Sequence, residues 1–346
     1  MFGSRRRQRP AAAVEAAVEA PLDDVIRRMR PLPYDSLTRW GIVDEVSGLD
    51  PGEVLPVLRR LLESDRTDDR LIGVQLTGTY FSSLDEPYWD VDESHLPEEC
   101  YELVPLLRRC CEPEEPPELI AAVLGPLSWL VPDRAVITRP LARHPDARVR
   151  ACAVSLLDSA TDDADFAIVV EALTDDPDPR VRRAAAETIE SSHHGAYTAD
   201  DLVDGRLPAD KRAVYDRLWL VMRPFLRDRD ARIRAAVLDL ALDDWAAEAV
   251  DVARAEEKLL AELTDPNVDQ SMVSLARSAL RPSSKLFEGP KAHELLERLT
   301  ALQDSDWPAR TAVPDRYPDE SARRVTLDEA VARGRRRVEG GRWRRR

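Results

Sequence analysis

Three stretches of the chain place apolar or small residues on one helical stripe behind a matching turn. From Val149 the positions are Cys152, Ala153, Leu156 and Leu157; from Val181 they are Ala184, Ala185 and Ile189; from Ile233 they are Ala236, Val237, Leu240 and Ala241. The spacing i, i+3, i+4, i+7, i+8 is that of an amphipathic helix with one buried face. Ahead of each stripe stands an aspartate, Asp146, Asp178 or Asp230, in the segments HPDARVR, DPDPRVR and DRDARIR. A carboxylate there accepts from the free amides of a first helical turn and meets the positive end of the helix dipole. Each copy therefore predicts a turn followed by a capped helix.

Each turn also has a helical pattern in front of it, ITRPLARH, FAIVVEALTD and LVMRPFLRD, with Pro140 and Pro224 six residues before Asp146 and Asp230. A proline inside a helix removes a hydrogen bond, so its recurrence predicts a bend in the first helix. Upstream, EVLPVLRRLLES with Pro56 and ELVPLLRRCCE with Pro105 repeat that helix and are followed by RLIGVQLTG and ELIAAVLGPL; downstream, residues 257–280 form a further pair whose turn lacks arginines. Six helix pairs result. A pair of short helices cannot bury its stripe alone, but stacked pairs share one core, so the expected fold is all-α, an α-solenoid with a concave side.

These turns resemble HEAT repeats, including the phycobilisome-lyase type, on the proline-bent first helix, the D-x-D-x-x-V-R turn and the Ala-rich second helix. The resemblance implies that Asp146, Asp178 and Asp230 with Arg150, Arg182 and Arg234 form a structural ladder between neighbouring units. The domain reading that follows is a tail at 1–20, capping helices at 21–48, the repeat array at 49–282 and a capping helix at 283–303. A Pro-rich then Arg-rich tail at 304–346 closes it, with a short helix expected over Thr326 to Val338. Residues 80–100 and 191–210 lengthen the interval between units and read as insertions.

Composition supports helices: 13 glycines, 5% aromatic residues and an Ala-, Leu-, Arg- and Glu-rich body disfavour sandwiches and barrels. The chain's formal charge of −15 includes +4 on the first nine residues and +7 on residues 333–346, which leaves −26 on the 323 between. Such a body disfavours nucleic acid, except through the Arg-rich ends, and favours a basic or helical protein partner. The longest apolar run, Leu119 to Val131, is broken by Gly125, Pro126 and Ser128 and is too short for a bilayer. The N-terminal segment carries Glu15 and Glu19 where a signal peptide needs an apolar core. The expectation is a cytoplasmic protein with no membrane contact. Cys100, Cys110, Cys111 and Cys152 lack metal-type spacing and read as buried thiols.

Catalytic signatures are missing. His193 and His194 are adjacent without a further ligand motif, and no Walker loop, G-x-G-x-x-G or G-x-S-x-G is present. Catalytic, metal and cofactor sets are therefore expected to be empty. The expected role is a non-enzymatic scaffold that presents Arg183, Glu187 and Glu190 on second-helix surfaces and Tyr88 and Trp89 in the 80–100 insertion. HEAT-like alkylpurine DNA glycosylases and the lyase or chaperone-like phycobilisome-lyase proteins are the alternatives that the resemblance brings.

Overall fold

The computed structural model describes residues 22–33, 42, 44–46, 49–84, 98–131, 134–196, 201–203, 206–243, 246–263, 285, 287–303, 328 and 331–338. These are helical throughout, without strands; an isolated antiparallel bridge joins Val203 and Arg206. The chain divides into two compact units, residues 1–156 and 157–346.

In the first unit, α1 spans 22–29, α2 Pro51–Leu62, α3 Thr67–Leu84, α4 Val104–Arg109, α5 Pro117–Leu130, α6 Ala135–Leu141 and α7 Ala147–Val154. Helix α3 packs on α5 and α5 on α7, while α2, α4 and α6 each pack on the helix that follows them. The alternation arises because every second helix is apolar enough to be covered on more than one side. Residues 71–77 of α3 are all buried. Its contacts with α5 are close because Gly78 lies against the Pro126 ring, where an added Cβ would sit 3.0 Å from Cγ.

The core of this unit gathers Val54, Leu58, Leu61 and Leu62 of α2 with Ile72, Leu76, Tyr80 and Phe81 of α3 and Leu119, Val123 and Leu127 of α5. Each such side chain contributes about 1.5–3 kcal/mol on burial. Tyr80 keeps its hydroxyl satisfied by donating to the Leu49 carbonyl at 2.9 Å. The first aromatics of the 80–100 segment are thus core residues at the end of α3, and the stretch resumes as a 3-10 helix at Glu98–Leu103.

In the second unit, α8 spans Asp163–Asp175, α9 Pro179–Gly195, α10 Ala209–Met222, α11 Ala231–Ala241, α12 Ala249–Leu263, α13 Ala292–Gln303 and α14 331–338. Helix α9 packs on α8, α10 and α11, and α12 packs on α11 and α13. Helix α11 is the central element, buried without a break from Ala235 to Asp243.

Several expectations shift at element ends. The recurrent prolines mark boundaries more than bends. Pro140 is the penultimate residue of α6, Pro224 opens a 3-10 stretch after α10, and Pro105 lies in the first turn of α4, where its missing N–H costs nothing. Pro56, Pro126 and Pro140 stand inside helices among the described residues. Helix α7 stops at Val154, before the expected Leu156 and Leu157, as Ser155 donates its hydroxyl back to the Cys152 carbonyl at 2.8 Å. The 191–210 segment begins as the last turn of α9 and ends as the first turn of α10.

The expected helix near the C-terminus is present as α14, and its surroundings tie it to the second unit. Val331 is buried, Gly334 sits against Phe287 and Leu296, and Arg337 pairs with Glu288 at 3.1 Å. That part of 304–346 is packed structure. The 1–20 tail, most of Ser36–Val46, the aromatic-acidic stretch 85–97, the helix expected up to residue 280 and the last arginines lie outside the described residues.

Candidate functional site

The three matching turns share one cap geometry. Asp146, Asp178 and Asp230 have extended backbones and cap α7, α9 and α11 by accepting from the amides of Arg148, Arg180 and Arg232 at 2.8, 2.8 and 3.0 Å. Val149, Val181 and Ile233 behind them are fully buried. Arg148 and Arg180 also fork onto their capping carboxylates, with bonds between 2.9 and 3.2 Å.

The last arginine of each turn closes it from the other side. Arg150 donates to the carbonyls of His144 and Pro145, Arg182 to those of Asp176 and Pro177, and Arg234 to those of Asp228 and Arg229. In each case one nitrogen, Nη1, with its two N–H groups, donates to both carbonyls.

A further member of the motif stands two residues before the cap. Asp176 accepts from the Asp178 amide at 2.9 Å and Asp228 from the Asp230 amide at 2.7 Å; in the first turn His144 does this through Nδ1, at 3.0 Å from the Asp146 amide. The ring nitrogen Nδ1 thus takes the place of a carboxylate oxygen here. The first Asp of D-x-D was visible in the sequence, but its equivalence with His144 needed the coordinates.

Links between helices are made by Asp230 of the expected ladder and by residues beside it. Arg183 of α9 donates to Asp230, and Arg232 of α11 pairs with Glu187 of α9 at 2.7 Å. In the first unit Arg148 approaches Glu118 of α5 at 3.7 Å. Arg183 and Glu187, expected to face a partner, are thus engaged between α9 and α11; Glu190 is half-buried one turn further along α9. Tyr88 and Trp89 lie outside the described residues.

A buried polar cluster occupies the second unit. His193 of α9 meets Asp243 at 3.1 Å, both side chains without solvent exposure, and Asp243 also accepts from the Ala246 amide at 2.9 Å. The Tyr215 ring lies 5.3 Å from the imidazole and stacks on Trp219. Burial pushes the Tyr215 phenol up, and its hydroxyl has no hydrogen-bond partner. Burial likewise raises Asp251, against the pull of Arg254. A histidine within a helix gave no sign of this pairing, because its carboxylate comes from 50 residues away.

Two more long-range tethers escaped the sequence. Arg217 of α10 donates to the carbonyls of Ser159 and Ala160 and to Asp163, with its guanidinium 4.4 Å from the Phe166 ring centroid. Glu256 of α12, fully buried, accepts from the amides of Gly289 and Lys291 ahead of α13.

The described cysteines are free. Burial pushes Cys110 up to about 11 and Cys111 up to about 12, and raises Cys152. These thiols are protonated at neutral pH, which removes their nucleophilic form. Among the described residues no three His, Cys, Asp or Glu side chains are grouped to hold a metal ion, and no helix is long and apolar enough to cross a membrane.

No family model and no curated protein sequence matches the chain. Among solved structures, the X-ray structure of YibA from Escherichia coli is similar over 97% of this chain and 100% of that one, at 13% sequence identity and a TM-score of 0.44.

Proposed function

We propose that the chain is a HEAT-like repeat scaffold, an α-solenoid of about six helix pairs with capping helices, that binds another protein in the cytoplasm without catalysing a reaction. The observation that carries this reading is the recurrence of one turn, with an acceptor, a capping Asp and a closing Arg, at 144–150, 176–182 and 228–234. Such repetition of a purely architectural device is what a modular stack needs, since each helix pair depends on its neighbours to cover its apolar stripe. The packing of α3 on α5 and α5 on α7, and of α9 on α11, is in keeping with second helices aligned in a row.

The acidic body favours a basic or helical protein, with the 80–100 segment, including Tyr88 and Trp89, as a contact and with rim charges steering association. Nucleic acid contact is confined to the Arg-rich ends. A pull-down from native lysate tests the reading. The expected result is a basic protein retained at low salt, weakened at moderate salt and lost when Tyr88 and Trp89 are both replaced by Ala. Recovery of nothing above background at either salt level overturns it.

A further inference from the structure

We infer that the first unit carries a binding cleft for a small organic oxyanion, a carboxylate or a phosphate ester, between α1, the C-terminal end of α2 and the start of α3. The cleft encloses about 440 Å³, within the range of small-molecule sites. Arg27 lines it from α1, Arg30 from the turn after α1 and Arg60 from α2, and Ile26 and Leu61, each 4% exposed, form its apolar lining.

The case rests on a surplus of directed donors. Two carboxylates line the cleft, and both are occupied. Asp69, whose side chain is 11% exposed, takes Nε and Nη2 of Arg30 at 3.2 and 3.1 Å and the Ser64 hydroxyl at 3.3 Å. Asp23 takes one nitrogen of Arg60 at 3.3 Å, and outside the cleft lining Asp24 takes one nitrogen of Arg27. Each guanidinium carries five N–H donors. Among the described residues the rest of those donors on Arg27, Arg30 and Arg60 meet no protein acceptor.

Asp24 included, the formal charges balance, so the attraction comes from the remaining N–H groups of the three lining guanidiniums and not from a net field. An acceptor-rich, planar or tetrahedral oxyanion fits such forks, and an aliphatic portion fits the apolar lining. Aspartates that hold Arg30 and Arg60 in place reduce the ordering needed when a ligand arrives. The inference is independent of the scaffold reading.

Calorimetric titration of the full chain tests it, with inorganic phosphate in one arm and succinate in the other, at matched ionic strength against chloride. The expected result is saturable one-to-one binding of at least one anion, with a dissociation constant on the order of millimolar. Phosphate alone identifies a phosphoryl ligand, succinate alone a carboxylate, and both the shared oxyanion chemistry. Arg60→Gln and Arg27→Gln, at side chains 64% and 77% exposed, retain the wild-type melting profile. Each weakens binding about tenfold. Arg254→Gln, on α12 and 63% exposed, makes the same charge change and leaves binding intact. Lack of saturation in both arms, or equal weakening by Arg254→Gln, overturns the proposal.

Discussion

Arg183 on α9 donates to Asp230, and Asp230 is the cap of α11; one carboxylate starts a helix and ties it to the helix alongside. Its side chain is 9% exposed, against 25% for Asp146, the corresponding cap of α7. The same residue at the same place in the motif therefore has unequal weight. Replacing an aspartate cap by Ala costs about 1 kcal/mol. Asp146→Ala, whose bonds from the half-exposed Arg148 are screened by solvent, is expected to cost about that amount, and Asp230→Ala about 2 kcal/mol, because the bond from Arg183 to its less exposed carboxylate goes with the cap. Urea denaturation of both variants measures the difference, and equal losses contradict the assignment of a second role to Asp230.

The Asp146 carboxylate supplies a pH signature. The Arg148 side chain first, and then its backbone amide, hold it down to about 2, against about 3.9 for an unfolded aspartate. A carboxyl group that binds its proton less tightly when folded adds stability that is complete above about pH 4 and is lost as pH falls toward about 2. The stability gap between wild type and Asp146→Asn is expected to be flat from pH 7 to 5 and to close below about pH 4. Parallel titration curves down to pH 2 would exclude this role.

Gly289 has its own constraint. A Cβ at this position would overlap the Glu256 carboxylate, which accepts from the Gly289 and Lys291 amides at 3.0 and 3.2 Å. Gly289→Ala must push Glu256 aside and leave buried polar groups unpaired, at a cost of about 2–4 kcal/mol. Combining it with Glu256→Ala removes the overlap, so the double variant is expected to lose less than the sum of the two singles. Additive losses in denaturation would show that the two sites do not meet.

Gln75 predicts an effect of the opposite sign. It lies 2% exposed in the fully buried stretch of α3, and neither its amide oxygen nor its amide nitrogen has a hydrogen-bond partner. Such a group costs about 1–3 kcal/mol. Gln75→Met, which keeps the shape and removes the polar atoms, is expected to stabilise the chain by about 1 kcal/mol, read as a raised urea midpoint. A loss of stability would mean that the amide contributes to packing in a way its missing bonds do not reveal.

The helices and their caps were legible because their causes are local. An Asp that accepts from an amide two residues on, and a Val or Ile at the buried stripe behind it, act within a single turn. Pro224 was misread because a position counted from the next turn does not say where a helix ends; it lies just beyond α10. The guanidiniums of Arg150, Arg182 and Arg234, which the resemblance places in a ladder between units, also bond carbonyls five or six residues back, within reach of a single loop and out of sight of the apolar pattern. Arg183 and Glu187 looked like free surface because nothing in α9 names a partner 45 or more residues downstream. The contacts of Glu256, Arg217 and His193 depend on the same long-range closure.

All four thiols of the chain belong to the first unit, and those of Cys110, Cys111 and Cys152 are held in their unreactive form by burial. Alkylating reagents consequently meet little nucleophile while this half stays closed, and none at any time in the other half. The rate at which label reaches Cys100 and Cys110, the two buried thiols, is thus a clock for the breathing of residues 1–156 alone, supplied by the native chain without an engineered probe.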